Sequence, residues 1–240
     1  IINTIFSLEM IKKKALLLTR KGCKYSKFLE KKLLDFGFDL LTHQSSDSRG
    51  KKLPKRILDW KGDYIFSFRS LYIVPLSLLN RASIGSINFH PGPPDYPGGG
   101  CTNFALLDNS DVYGVTAHLM DEKIDNGKIL SVKYFPISPH DNIKSLTTKT
   151  HKELYILAKN VIKKIMLNGL SSFNYLDSDK EIKWRKWKGS IKQIDQLSTL
   201  DFELSRSDML KIIRAVHTPE FPAKIIINGL EFHFYRDILE

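Results

Sequence analysis

Short apolar runs alternate with amphipathic stretches through the first 90 residues of the chain. Four of these runs have the length of strands: KKALLLT (13–19), FDLLTHQ (38–44), DYIFSF (63–68) and IGSINF (84–89). Between the first two, CKYSKFLEKKLLDFG has Leu, Phe and Tyr at helical spacing and ends on Gly37, a common helix stop. PLSLLNRA, with proline in its first turn, predicts a second, shorter helix. The order β-α-β-β-α-β predicts an α/β fold with a mostly parallel sheet and helices on both faces.

Three more elements complete a first domain, which we expect to span residues 10–170. GCTNFALLDN predicts a helix capped near Thr102, and DVYGVTAHLMDEKIDNGKILSVKYF predicts a two-stranded hairpin. DNIKSLTTKTHKELYILAKNVIKKIMLNG then predicts a long amphipathic helix that closes on Gly169. Met10 is the expected natural start, so residues 1–9 stand outside this domain.

The remaining residues, 171–240, predict a small α+β appendage. SSFNYLDSD is polar and typical of a loop, and SRSDMLKIIRAVH predicts one helix. AKIIINGLEFHFY predicts a second hairpin that turns on Asn228 and Gly229, because Asn-Gly between apolar runs favours a two-residue turn.

Composition indicates an ordinary globular protein. The 240 residues are 42% hydrophobic, which is enough for one sizeable core plus a small appendage. The longest uncharged stretches are broken by Pro, Gly and Asn and fall short of the roughly 20 residues that span a bilayer. Cys23 and Cys101 show no paired spacing, so we expect neither a disulfide framework nor a metal site. A reducing cytoplasm fits this use of cysteine best.

The chain is basic, with 37 Lys and Arg against 26 Asp and Glu and a net charge of +11. An anionic ligand would suit this charge. The positive residues gather in RKGCKYSK, RGKKLPKR and KWRKWKG. A solvated lysine-rich surface explains any one of these clusters equally well, so a specific interpretation needs a site toward which the charge points.

Asn88 and His90 lie where the fourth predicted strand ends, and ligands of open α/β sheets bind at the carboxyl ends of strands. Because side chains alternate along a strand, Asn88 and His90 face one way while Phe89 faces the core. The alternative is structural: Asn88 caps the strand end and His90 is a buried polar residue with its hydrogen bonds satisfied.

The segment HPGPPDYPGGG follows and cannot pack a core. Its prolines stiffen a loop that has no regular hydrogen bonding, and its glycines let backbone approach a ligand closely. We expect Tyr96, Gly98 and Gly99 of this loop to bind substrate.

A second constellation lies in MDEKIDNGKIL, where Asn126-Gly127 predicts a two-residue hairpin turn with Asp125 just before it. Aspartate is common in turns, so Asp125 alone indicates little. Together, Asn88, His90 and Asp125 offer an amide donor for a developing oxyanion, an acid or base, and a carboxylate to orient it.

These two segments resemble the paired signatures of the 10-formyltetrahydrofolate-dependent formyltransferases. The resemblance covers roughly residues 60–135 and implies a Rossmann-like formyltransferase fold. The family's catalytic set is an Asn, a His two residues later, and an Asp in an Asp-x-Gly turn. On this chain those residues are Asn88, His90 and Asp125, with Gly127 completing the turn.

The resemblance also implies lesser candidates for the substrate site. Thr116 and His118 share one strand face and match a family pattern of Thr and His that line this site. Asn103 would meet the sugar near the start of a helix. A polar pair on a half-exposed strand is the structural alternative for Thr116 and His118.

Within the family, the chain is most similar to the sugar N-formyltransferases of bacterial surface polysaccharide synthesis. Initiator-tRNA formyltransferases have a longer C-terminal β-barrel, and glycinamide-ribonucleotide formyltransferases end sooner. The resemblance implies that 10-formyltetrahydrofolate is the co-substrate, with no metal. The acceptor would be the amine of a nucleotide-linked amino-deoxysugar, with dTDP-4-amino-4,6-dideoxyglucose favoured, for lipopolysaccharide O-antigen synthesis. The C-terminal hairpin would mediate a homodimer.

Two alternatives stay open at this point. One is formyl transfer to another amine, that of initiator tRNA or glycinamide ribonucleotide. The other is a non-catalytic RNA-binding protein that uses the +11 charge and stacks bases on Trp184 and Trp187. The second alternative lacks a recognised RNA-binding motif and leaves Asn88, His90 and Asp125 without a role, so we expect no nucleic-acid partner.

Overall fold

The computed structural model describes residues 12–46, 52–173 and 182–234. The strands are β1 (Lys14–Arg20), β2 (Asp39–Ser45), β3 (Gly62–Phe68), β4 (Ala82–His90), β5 (Val112–Leu119), β6 (Ile129–Pro136), β7 (Thr199–Leu200), β8 (Lys224–Ile227) and β9 (Leu230–His233). The α-helices are α1 (Lys24–Asp35), α2 (Lys55–Leu58), α3 (Leu76–Leu79), α4 (Cys101–Leu107), α5 (Ile143–Asn168), α6 (Ile191–Leu197) and α7 (Arg206–Val216). The four strands and two helices predicted for the first 90 residues are confirmed within one or two residues at most ends.

The predicted α/β fold with a mostly parallel sheet is confirmed. Strands β1 to β6 form a six-stranded sheet in the order β2-β1-β3-β4-β5-β6, and a second, three-stranded sheet has the order β7-β8-β9. The backbone divides into two compact units, Ile1–Ser86 and Ile87–Glu240. The domain division expected at residue 170 stays a prediction.

The first unit is built around β1, whose apolar run explains its position in the sheet. Ala15 to Leu18 are fully buried, and β1 pairs in parallel with both β2 and β3. Phe38 packs edge-on against the rings of Tyr64 and Phe66 with centroid distances of 6.0 and 5.7 Å. A short continuous run of apolar residues is what a strand buried on both faces requires.

The second unit contains the end of β4, which pairs antiparallel with β5, and β5 pairs antiparallel with β6. Its long helix α5 packs against β5 and β6. Asn142 begins α5 with a capping box, in which its side chain accepts from two backbone N–H groups of the first turn. Gly169 follows the last residue of α5, as predicted. This framework holds the carboxyl end of β4 beside β5.

The C-terminal hairpin is confirmed, since β8 and β9 pair antiparallel across Asn228 and Gly229. Helices α2 and α6 and the short strand β7 were not predicted. Ser190 and Gln193 form a capping box at the start of α6, and the spacing Ser-x-x-Gln was a readable signal for that helix. Within the described ranges, the longest and most apolar helices still fall short of what a membrane crossing requires.

Candidate active site

Strand β4 ends on His90 and presents Asn88 and His90 on one face. Phe89, between them, is fully buried on the other face, as the alternation of strand side chains predicts. His90 is 3% exposed, whereas Asn88 is half-buried. Asn88 is therefore the more accessible member of the pair.

Asp125 lies in the connection between β5 and β6, and the two-residue turn predicted at Asn126-Gly127 is wrong. The connection runs over residues 120–128 and is closed by a hydrogen bond from Leu119 N to Lys128 O at 2.8 Å. Asp125 itself has a positive φ of 44°. A Cβ on Gly127 would lie 1.9 Å from Leu119 O, so this position needs glycine for space.

The Asp125 carboxylate is the centre of a buried polar cluster. Its Oδ2 accepts from Gly98 N at 2.8 Å and lies 3.2 Å from His90 Nδ1. Its Oδ1 lies 3.4 Å from His118 Nε2 and 3.5 Å from the Asn88 amide nitrogen. The structure thus brings together the three residues predicted as catalytic, and it adds His118 as a direct neighbour.

Both imidazoles donate one ring N–H to a backbone carbonyl. His90 Nε2 lies 3.0 Å from Tyr96 O, and His118 Nδ1 lies 2.8 Å from Leu119 O. A carbonyl oxygen only accepts, so each of these nitrogens carries hydrogen. The second nitrogen of each ring faces Asp125.

The proton on the second nitrogen decides which contacts are attractive. With hydrogen on Nε2, His90 attracts the Asp125 carboxylate through Nδ1 only as an imidazolium. A neutral His90 that donates from Nε2 to Tyr96 O has no hydrogen on Nδ1 to donate to Asp125. A neutral His118 accepts from the Asn88 amide at 3.1 Å, and a protonated His118 donates to Asp125. The cluster therefore has several places for one or two protons.

Burial alone would raise the pKa of Asp125. The positive charge of His90, the hydrogen bond with His118 and the Gly98 N–H together outweigh burial and hold that pKa well below its usual range. Burial lowers the pKa of His90, and the Asp125 carboxylate and Tyr96 carbonyl oppose this shift. Asp125 is accordingly the lasting negative charge of the cluster.

The proline- and glycine-rich loop supports this cluster through its backbone. Tyr96 supplies the carbonyl for His90, and its hydroxyl bonds Asp108 and Ser110 at 3.0 and 2.6 Å. Gly98 supplies the N–H for Asp125, and Gly99 N donates to Gly189 O at 2.8 Å. The expected contacts of these three loop residues with substrate stay predictions.

Two other candidates make hydrogen bonds within the protein. Thr116 is fully buried and donates to Gly92 O at 2.8 Å. Asn103 donates to Ala215 O, in α7, at 2.7 Å. These bonds tie the loop to β5 and α4 to α7, and the predicted substrate contacts of Thr116 and Asn103 are untested.

Sequence reasoning missed Trp184. Its ring lies edge-on to both imidazoles, with centroid distances of 5.6 Å to His90 and 5.0 Å to His118, and its indole N–H donates to Gly127 O at 2.8 Å. Trp187 packs instead on Phe104, with a centroid distance of 4.7 Å. The basic, tryptophan-containing segment KWRKWKG drew attention for its charge, and no periodicity related it to a site far away in sequence.

No group of three or more His, Cys, Asp or Glu side chains in the described residues is arranged to hold a metal ion. The polar cluster instead has the composition of a proton-transfer and hydrogen-bonding site, with an amide, two imidazoles and a carboxylate.

Comparison with known proteins gives a consistent family. The family model described as "Formyl transferase" matches residues 13–162. The bifunctional polymyxin resistance protein ArnA of Wigglesworthia glossinidia brevipalpis is 29% identical over 187 residues, which cover 73% of this chain and 27% of ArnA. A methionyl-tRNA formyltransferase of Staphylococcus epidermidis is 28% identical over 153 residues, which cover 63% of this chain and 44% of that enzyme. The chain thus spans less than half the length of these curated relatives.

Among solved structures, a sugar N-formyltransferase from Shewanella sp FDAARGOS_354 has the same fold. The TM-score is 0.72 at 18% identity, and the match covers 93% of this chain and 97% of that chain. The residues that the family model matches include the strands and the turn that carry the polar cluster.

Proposed function

This chain belongs to the formyl transferase family, and from that premise we propose that it transfers a formyl group from 10-formyltetrahydrofolate to the amine of a nucleotide-linked amino-deoxysugar. The observation that carries the proposal is the convergence of Asn88, His90 and Asp125. Their side chains meet within 3.2 to 3.5 Å of one another through the Asp125 carboxylate. Asn88 and Asp125 are 37 residues apart in sequence and are held together here.

The proposed roles follow from which atoms can reach a ligand. Asn88 is half-buried, and its hydrogen bond to Asp125 is at the 3.5 Å limit. The amide nitrogen also lies 3.1 Å from His118 Nε2, so the N–H on the Asp125 side is the weakly held one and can turn toward an oxygen on which negative charge develops. Hydrogen bonds of this kind are often long before substrate binds and tighten in the complex.

Formyl transfer requires one proton to leave the attacking amine and one to reach the departing nitrogen. The co-substrate supplies the activated formyl carbon, and this chain supplies the hydrogen bonds and the protons. His90, with Asp125 fixed beside its Nδ1, is the proposed proton carrier. Asp125 keeps the ring oriented and favours its charged form, as a carboxylate partner does.

A sugar acceptor is favoured over initiator tRNA and glycinamide ribonucleotide. The fold matches the Shewanella sugar N-formyltransferase over 93% of this chain and 97% of that chain. A nucleotide-linked sugar and the glutamate tail of the folate are both anionic, which suits the net charge of +11. We favour dTDP-4-amino-4,6-dideoxyglucose as acceptor and O-antigen synthesis as the setting.

RNA binding through the tryptophan segment has less support. The rings that would stack bases are engaged within the protein, Trp184 with the two histidines and Trp187 with Phe104. Base stacking needs an open aromatic face.

The proposed homodimer rests on the C-terminal hairpin. Ile226, Leu230 and Phe232 are 44%, 64% and 53% exposed, respectively. An isolated hairpin is marginally stable, and a second copy would cover these side chains. Light scattering at micromolar concentration tests this, and a monomer would contradict it.

The decisive experiment for the function is a formyl-transfer assay with a panel of nucleotide amino sugars, read by the mass gain of the sugar. We expect transfer to at least one dTDP-linked amino sugar. Asn88→Ala should lower turnover by roughly 100- to 1,000-fold, as loss of one oxyanion donor typically does. Absence of transfer to every sugar in the panel would contradict the sugar proposal, and near-parental turnover of Asn88→Ala would remove the oxyanion role.

A further inference from the structure

Residues 182–190, which we call the strap, contact two parts of the proposed site: the proline- and glycine-rich loop and the turn that carries Asp125. Toward the proline- and glycine-rich loop, Arg185 N donates to Pro94 O at 2.9 Å and Gly189 N donates to Pro97 O at 3.0 Å. Toward the Asp125 turn, Trp184 Nε1 donates to Gly127 O and Lys188 Nζ donates to Ile124 O. The strap is therefore fixed to both segments that hold the His90–Asp125 pair.

The fit between strap and loop is close. A Cβ on Gly189 would lie 2.6 Å from Gly99 O, and one on Gly98 would lie 2.4 Å from Gly189 O. Gly98 and Gly189 also form an isolated parallel β-bridge. Backbone approach of this kind requires that Gly98 and Gly189 lack a side chain, so the backbone that follows Trp184 is fixed against the loop.

We propose that Trp184 is a positioning residue for the formyl-transfer chemistry: its indole ring keeps water off the two imidazoles, and its N–H holds the turn that carries Asp125. The inference rests on the proposed function and deepens it. Nothing in the family signatures of β4 and the Asp-x-Gly turn assigns a role to this segment.

The ring contacts give the first part of the argument. The indole meets His90 at 77° and His118 at 82°, so its plane is nearly perpendicular to both rings. One apolar group thus covers both histidines, which are 3% and 2% exposed. Exclusion of water strengthens the interaction of both rings with Asp125 and disfavours the charged form of His90.

The indole N–H gives the second part. Gly127 O is two residues from Asp125, which is held at a positive φ. A donor at 2.8 Å restrains the turn at the point where Gly127 already contacts Leu119 O closely. Loss of this donor would let Asp125 move relative to His90, and displacements near 1 Å are enough to reduce turnover strongly.

Several titratable and charged groups face the histidines and must be considered in any pH experiment. Asp125 faces both rings, and the rings influence each other. The Cys101 thiol of α4 lies in the field of Asp125. From the strap, Lys188 is bound to the turn. None of these groups is altered in the variants below.

The test compares Trp184→Ala and Trp184→Phe with Trp187→Phe, a matched control on the same strap that packs on Phe104 and not on a histidine. The first readout is the NMR titration of the imidazoles in the free 240-residue chain. In Trp184→Ala we expect the midpoint of His90 to rise by about 0.5 to 1 pH unit, since water then stabilises the imidazolium. Trp184→Phe should shift it less, and Trp187→Phe should not shift it.

The second readout is turnover as a function of pH with 10-formyltetrahydrofolate and the best amino sugar. The acid limb of Trp184→Ala should move upward together with the NMR midpoint. Trp184→Phe should shift the pH profile less than Trp184→Ala does and should lose roughly 10-fold in kcat, because it lacks the N–H that restrains the turn.

A histidine midpoint in Trp184→Ala that equals the parental one, or that shifts equally in Trp187→Phe, would overturn the proposal. If Trp184→Ala does not fold, Trp184→Phe decides, and parental kcat in that variant would overturn the role of the N–H. If the parent transfers no formyl group, the proposed function has failed, while the NMR titration still decides whether Trp184 shields the imidazoles.

Discussion

Two of the three Asn-Gly dipeptides in this chain were predicted as hairpin turns, at Asn126-Gly127 and Asn228-Gly229, and they fold differently. At the C-terminal hairpin, Asn228 and Gly229 have φ values of 50° and 79° and form the two-residue turn that this dipeptide favours. In the connection between β5 and β6, the positive φ falls instead on Asp125, one residue before Asn126. The same dipeptide thus forms the expected turn at one place and not at the other.

The surroundings explain the difference. The Asn228-Gly229 turn is exposed, and no atom lies within 4 Å of where a Cβ on Gly229 would be. Asp125 is 5% exposed and meets two imidazoles, an amide and a backbone N–H. The backbone conformation of the exposed turn follows the local preference of Asn-Gly. The conformation of the turn at Asp125 is determined by contacts with residues distant in sequence. Four substitutions test this contrast.

The largest effect should come from exchanging the side chains of the two turns. Asp125→Asn removes the negative charge from the cluster while nearly keeping volume, and turnover should fall about 100-fold or more, within the range for general acid-base groups. The matched change Asn228→Asp should leave turnover at the parental level. Steady-state rates of the two purified variants provide the measurement, and parental activity in Asp125→Asn would return this aspartate to a purely structural role.

The contrast also shows how far the sequence predicts this protein. Strands β1 to β4 could be predicted because each contains a short run of apolar residues, and such a run is a local signal of a buried strand. The cluster of Asn88, His90 and Asp125 was predicted through the family resemblance. Trp184 was not, because its position depends on backbone contacts between Gly98 and Gly189, which are 91 residues apart. No local pattern encodes such a pairing.

A second comparison concerns the glycines, and the larger effect should again lie at the buried turn. Gly127→Ala places a Cβ 1.9 Å from Leu119 O, a backbone atom that cannot move without opening the connection between β5 and β6. We expect a loss of unfolding free energy of about 1 to 3 kcal/mol, typical of overpacking, together with reduced turnover. Chemical denaturation measures the first effect, and parental stability and activity would show that this close approach is dispensable.

The third test uses pH. The folded-state pKa of Asp125 is lowered, so its contribution to stability is present above the unfolded value near 4 and is lost as pH falls toward the folded value. The difference in melting temperature between the parent and Asp125→Asn should therefore be larger at pH 5 than at pH 3. For Asn228→Asp, the difference in melting temperature from the parent should not shrink in this way as the pH falls. An Asp125→Asn gap that stays constant or grows below pH 4 would mean that the carboxylate is not stabilised by its neighbours in the folded protein.

The smallest effect should come from Gly229→Ala. At a φ of 79° an L side chain is strained by roughly 1 to 2 kcal/mol. Alanine also restricts the unfolded chain, which stabilises the folded protein by about 0.4 to 1 kcal/mol. With no atom in the way of the added Cβ, the net loss should be about 1 kcal/mol or less, with parental turnover. If Gly229→Ala instead impairs formyl transfer as Gly127→Ala does, the hairpin turn is coupled to the site, and the distinction between a locally determined turn and a site-determined turn does not hold.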